Sequence, residues 1–235
     1  GGAFNGTYDP AANTSGIYTY TVIGTAPCAN DQAAVTVNET GSPDAGADGV
    51  LTLCADGAAT ALFPALGGAP QPGGAWTAPG GASHGGTIDP GTDAAGVYIY
   101  TLAAPAPCVS DQSQVSVSIN AAPDAGADGV ITICDIGAPA ALFTQLSGAQ
   151  PGGTWTGPGG GPFSGIYDPA TGASGIYTYT VNGIAPCGSD QATVTVNETG
   201  TPDAGTDGAI TLCSTSSAAG LFAALAGSAV HGLPA

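Results

Sequence analysis

The 235 residues include no Lys, Arg or Met, 17 acidic residues, 40 Gly and 19 Pro, for a formal charge of −17. With nothing basic to set against phosphate, nucleic acid and anionic lipid are excluded as partners. Charged residues make up only 7% of the chain and apolar ones 43%, a balance that can build a core, and no apolar run approaches the roughly 20 residues of a membrane-spanning helix.

Residues 1–42 read as the back half of a domain. Ile17-Tyr18-Thr19-Tyr20-Thr21-Val22 alternates, with Tyr18, Tyr20 and Val22 on one face and threonines on the other, the pattern of a half-buried strand. Ala33-Ala34-Val35-Thr36-Val37-Asn38 is a second such strand, and the loop between them carries Pro27-Cys28 and Asp31. The chain starts at Gly1 in mid-motif and without an initiator Met, so it is expected to be a processed chain or a segment of a longer one.

Residues 43–121 read as a complete unit. An acidic, glycine-rich turn from Pro43 to Gly49 runs into the apolar strand Val50-Leu51-Thr52-Leu53-Cys54, followed by Leu62-Phe63, which we expect to be extended. Gly74-Ala75-Trp76-Thr77, the turn Ile88-Asp89-Pro90 and two closing strands around Tyr98 and Val115 complete it. Residues 122–200 repeat every step, and residues 201–235 begin the unit again, stopping after Leu221-Phe222, where the one helix candidate, Ala218 to Leu225, matches the Leu-Phe segment of the other repeats and reads as strand or a short turn. The offset between copies is about 80 residues, the mark of a repeat array. Six or seven short strands per unit, divided by Gly, Pro and Asx turns and with no convincing helix, predict an all-β protein of tandem sandwiches.

The six cysteines, Cys28, Cys54, Cys108, Cys134, Cys187 and Cys213, recur with the repeat and contain no CxxC pair, and His84 and His231 lie far from them in sequence. That spacing points to disulfides made in an oxidising compartment rather than to zinc. Pairing within units joins Cys54 to Cys108 and Cys134 to Cys187, each closing a loop of about 54 residues and contributing about 4 kcal/mol in the chain-entropy picture. The alternative joins Cys28 to Cys54 and Cys108 to Cys134. Under the first scheme Cys28 and Cys213 are left over, together with two half units that sum to about one repeat. The expectation is a head-to-tail, non-closing assembly in which residues 201–235 are completed by residues 1–42 of the next segment or chain, with Cys213 meeting the equivalent of Cys28. Trp76 and Trp155 have no third counterpart, and Val230-His231-Gly232-Leu233-Pro234 stands near their place.

Three motifs recur: Gly-Xaa-Tyr-Xaa-Tyr-Thr at Gly16, Gly96 and Gly175, Pro-Cys-Xaa-Xaa-Asp at Pro27, Pro107 and Pro186, and Pro-Asp-Ala-Gly at Pro43, Pro123 and Pro202. On these the chain resembles the tandem immunoglobulin-like (PKD-like) repeats of large secreted surface proteins of Bacteroidota. The resemblance implies an immunoglobulin-like sandwich in each repeat, export to the cell surface, and adhesive, stalk or fibre roles.

Little else in the chain suggests chemistry. Asp44/Asp48, Asp124/Asp128 and Asp203/Asp207 hold the outer positions of a D-x-D-x-D-G loop and are candidate calcium ligands, yet Gly replaces the middle acid and two carboxylates fall short of the six to eight oxygens calcium takes. Asp111 and Asp31, at the cysteine loop, are expected at the far end of the strands from these turns. Asp9, Asp89 and Asp168 precede Pro and read as turns. The tyrosines and tryptophans read as core, with Trp packed near the disulfide. No serine has an associated His, and the Gly-Gly runs have no adjacent Lys, so neither a nucleophilic triad nor a phosphate loop has a candidate. Asn5, Asn13, Asn38 and Asn197 fit the glycan acceptor pattern. The sequence therefore predicts a non-enzymatic, extracellular fibre or filament segment of disulfide-stapled domains, without a cofactor beyond candidate calcium. The alternative is an adhesin or carbohydrate-binding stalk.

Overall fold

The computed structural model describes residues 4–225. The expectations for His231 and for residues 230–234 fall outside them. The chain divides into two compact units, Gly1–Ile119 and Asn120–Ala235, each holding one complete repeat and one half repeat.

In the first unit β1 (Gly16–Val22) and β2 (Asp31–Val37) form an antiparallel hairpin, Gly16 opposite Val37 and Val22 opposite Asp31. The complete repeat follows as β3 (Gly49–Cys54), β4 (Thr60–Ala61), a 3-10 helix at Phe63–Ala65, β5 (Ala75–Thr77), β6 (Ser83–His84), β7 (Thr87–Ile88), β8 (Gly96–Leu102) and β9 (Asp111–Asn120). One layer is the five-stranded sheet β3-β9-β8-β5-β6 and the other is the short pair β4-β7. The second unit repeats this with β10 (Gly129–Cys134), β11 (Ala140–Ala141), a 3-10 helix at Leu142–Gln145, β12 (Thr154–Thr156), β13 (Pro162–Phe163), β14 (Ile166–Tyr167), β15 (Gly175–Asn182) and β16 (Ser189–Thr199). Its layers are β10-β16-β15-β12-β13 and β11-β14. The first strand, β10, lies parallel to the last, β16, and the other pairs are antiparallel. This is the layering of an immunoglobulin-like sandwich.

Two of the Leu-Phe segments differ from expectation. They form 3-10 turns at Phe63–Ala65 and Leu142–Gln145 rather than strands, while Leu221–Ala224 takes the turn, not the strand, of the two readings open for it. Leu62 and Leu66, like Leu142 and Leu146, are four apart, a spacing that puts both on one side of a turn, and all four are buried.

Between the layers sits an aromatic core. Tyr98, Tyr100 and Leu102 of β8 alternate inward with Val115 and Val117 of β9, against Leu62 and Ile88. Trp76 lies 5.1 Å from Tyr100, and Trp155 lies 5.0 Å from Tyr179. The tryptophans thus pack on tyrosine, and the cysteines stand outside both core clusters. Buried hydroxyls find partners: Tyr100 donates to Gln71 O at 2.7 Å and Tyr98 to Ala94 O at 2.8 Å, with Tyr179 and Tyr177 doing the same on Gln150 and Ala173.

Candidate functional site: acidic turns, cysteines and open half repeats

The acidic turn is built by its own side chains. Asp44 Oδ1 accepts a hydrogen bond from Gly46 N at 2.8 Å, and Asp124 and Asp203 do the same with Gly126 and Gly205. Gly46 and Gly126 sit at φ +85 and +82, in the left-handed region where a side chain is strained. Asp48 Oδ1 accepts from Gln114 N at 3.0 Å and Asp128 Oδ1 from Thr193 N at 2.7 Å.

Asp111, expected at the far end of the strands, is found on this turn, and so is Asp190, its equivalent in the second unit. Asp111 Oδ2 accepts from Ala45 N at 2.8 Å and Asp190 Oδ2 from Ala125 N at 2.7 Å. The cause is the parallel pairing of first and last strands. Gly129 lies opposite Val194, so the turn before β10 falls beside the beginning of β16, where Asp190 stands. The Pro-Asp-Ala-Gly and Pro-Cys-Xaa-Xaa-Asp motifs are thereby brought together. In the complete repeats the candidate calcium carboxylates each face a different backbone N–H, the arrangement of a tied turn.

The cysteines correct the expected pairing. Cys54 and Cys187 are disulfide-bonded, while Cys28, Cys108, Cys134 and Cys213 carry free thiols. Neither Cys54–Cys108 with Cys134–Cys187 nor Cys28–Cys54 with Cys108–Cys134 forms. The reason is geometric. Cys134 ends β10 opposite Thr199, the last residue of β16, whereas Cys187 precedes the first residue of that 11-residue strand. At about 3.3 Å per residue the two are some 30 Å apart, against the roughly 7 Å between Cα atoms that a disulfide tolerates.

Two classes of cysteine follow. The loop cysteines sit at the linker leading into their own repeat: Cys108 Sγ donates to Thr40 O at 3.5 Å, and Cys187 Sγ lies 3.4 Å from Ala121 O. The strand-end cysteine Cys134 sits at the linker leading out, its Sγ 3.6 Å from Thr201 Oγ1. Cys213, the strand-end cysteine of the last half repeat, is exposed. Thr215 hydrogen-bonds its sulfur at 3.4 Å and holds the thiol below its ordinary pKa.

The half repeats present core positions to solvent. Tyr20 is 72% exposed, while its equivalents Tyr100 and Tyr179 are 2% exposed. Val22 and Val35 are exposed where Leu102, Val181, Val115 and Val194 are buried. At the other end Leu221 is 68% exposed, against 0% for Leu62 and Leu142, and Ile210, Leu212 and Leu225 are exposed too.

The remaining candidates are local structure. Asp9, Asp89 and Asp168 each accept from the N–H two residues on, as Asx-Pro turns. His84 accepts from Gly86 N through Nδ1, and its Nε2 stands 3.6 Å from Asp93. A shallow cavity of about 350 Å³ runs over Phe143, Trp155, Ile166 and Tyr179 and is mostly apolar. Sequence reading missed one recurring contact: Tyr167, fully buried, donates to Glu198, and the equivalent Tyr8 donates to Glu39 in the N-terminal half repeat. The repeat alignment marks it, since Ile88 and Ile119 take both places together in the middle repeat.

No protein-family model matches the chain, and neither does any curated protein. Among solved structures it is similar to the I-band fragment from titin, at 14% identity over 79% of this chain and 75% of that one, with a TM-score of 0.47. It is also similar to the insect immune protein hemolin (12%, 78% and 56%, 0.42) and to Sidekick-1 immunoglobulin domains 1–4 (15%, 79% and 58%, 0.37). The chain thus spans little more than half the length of the latter two.

Proposed function

We propose that this chain is a structural, non-enzymatic segment of an extracellular fibre, built from immunoglobulin-like repeats that join head to tail, in keeping with the secreted surface repeats of Bacteroidota that its motifs resemble. The observation that carries this reading is the matched pair of open half repeats. The hairpin β1-β2 exposes Tyr20, Val22 and Val35, and residues 201–225 expose Ile210, Leu212, Leu221 and Leu225. In each complete repeat these two halves are covered by one another, so residues 201–225 of one copy are the natural cover for the hairpin of the next. Each large apolar side chain so buried is worth about 1.5–3 kcal/mol, and a heterologous contact of this kind propagates as a line.

Several features suit such a fibre. Repeats that bury their own cores add length without a change of fold. Disulfide-bonded Cys54 and Cys187 fit an oxidising, exposed setting. No helix among the described residues is long and apolar enough to cross a membrane. A carbohydrate-binding stalk calls for an exposed aromatic platform, and the tyrosines and tryptophans of the complete repeats, among them Trp76, Trp155, Tyr100 and Tyr179, are buried. Negative-stain electron microscopy of the purified chain tests the reading. Unbranched strings of beads that lengthen with concentration are expected, and compact single particles at every concentration would contradict it.

A further inference from the structure

The four free thiols stand at the same repeat positions as the two bonded cysteines, and completion of the half repeats gives each of them a partner. The second unit supplies the template. Gly129 lies opposite Val194 and Cys134 opposite Thr199, in parallel. Carried onto the equivalent positions, residues 208–213 of one copy run parallel to β2 of the next, with Gly208 opposite Val35 and Cys213 opposite Thr40. In the same register Asp31 receives Ala204 N, as Asp111 receives Ala45 N, and Asp207 receives Ala34 N, as Asp128 receives Thr193 N.

Cys213 therefore arrives at the linker around Thr40, where Cys108 already stands with its sulfur 3.5 Å from Thr40 O. The same docking fixes the other two. Cys134 sits at the linker marked by Thr201, which leads into the completed repeat. The loop cysteine of that repeat is Cys28 of the next copy, and loop cysteines sit at the leading linker, as Cys108 and Cys187 do. We propose that successive copies are joined by two disulfides, Cys213 to Cys108 of the next copy and Cys134 to Cys28 of the next copy.

This inference rests on the head-to-tail reading and revises its chemistry. Cys213 and Cys28 belong to opposite ends of the completed sandwich, about 30 Å apart by the length of the intervening strand, and do not pair. Each new bond forms by exchange with an oxidising disulfide. A thiolate such as that of Cys213 attacks the oxidant, giving a mixed disulfide. The Cys108 thiolate then displaces the sulfur still held in the mixed disulfide, so that two cysteines lose two electrons and two protons and the oxidant is released as two thiol groups, one at each step.

The test mixes equal amounts of ordinary and nitrogen-15-labelled chain, oxidises them with oxidised glutathione, and maps linked peptides by mass spectrometry without reduction. Linked peptides containing Cys213 with Cys108 and Cys134 with Cys28 are expected, about half of each carrying one light and one heavy strand, and C108S is expected to remove the first link while leaving the second. Chains that associate under reducing conditions yet link Cys213 to Cys28, or keep four reactive thiols after oxidation, overturn this pairing and leave the head-to-tail reading standing. Chains that stay monomeric in both states, with any links confined to a single isotope, overturn both.

Discussion

Tyr167 is a fully buried tyrosine whose hydroxyl faces a carboxylate. Burial pushes its hydroxyl above the ordinary phenol range, and the hydrogen bond it donates to Glu198 pushes in the same direction. In the exposed N-terminal half repeat the hydrogen bond to Glu39 leads, and Tyr8 is carried up to about 12. Below pH 10 the folded and unfolded chains both keep the Tyr167 proton. Above it the unfolded chain loses that proton first, so stability falls as the pH climbs through the raised folded value. Tyr98 and Tyr177, raised first by burial, act in the same direction. Melting temperature is therefore expected to hold level from pH 7 to about 9.5 and drop beyond it, less steeply in Tyr167→Phe. The middle repeat replaces the polar pair by Ile88 and Ile119, so the two positions are coupled. Glu198→Ile alone strands a buried hydroxyl, at about 1–3 kcal/mol. The double variant Tyr167→Ile, Glu198→Ile is expected to recover about 1 kcal/mol or more relative to the sum of the single changes, and additive urea-melt energies would refute the coupling.

At the scale of elements, the strands and their alternation were legible because the tyrosines of Gly-Xaa-Tyr-Xaa-Tyr-Thr keep an unbroken period of two. The 3-10 turns at Phe63–Ala65 and Leu142–Gln145 were missed because Leu-Phe is too short a run for a period to show. The cysteine pairing was missed for a different reason. Spacing along the chain does not reveal that β10 runs parallel to β16, and that one pairing sends the strand-end cysteine to one end of the sandwich and the loop cysteine to the other. The same pairing brings Asp111 and Asp190 onto the acidic turns, so those turns have three structural carboxylates each where the sequence offered two. With those oxygens already accepting backbone N–H groups, we propose that calcium is dispensable there. Millimolar calcium or a chelator is expected to move the melting temperature by less than about 2 °C, since stabilisation requires binding to the folded state, and a saturable rise beyond that would assign a cation to Asp44, Asp48 and their repeats.

At the scale of the molecule, the phase of the repeat was legible from the motifs alone, since both termini cut the unit at the same place. What the sequence lacked was the state of the cut faces, and the exposure of Tyr20 and Leu221 beside their buried equivalents supplies it. The central claim is that these faces cover one another between copies, with the disulfides following rather than causing the contact. Sedimentation velocity on the chain in reductant, over a hundredfold dilution, tests this most directly. The account predicts a series of masses at whole multiples of one chain that shifts upward with concentration and persists without disulfides. A single species of one-chain mass at every concentration would contradict it.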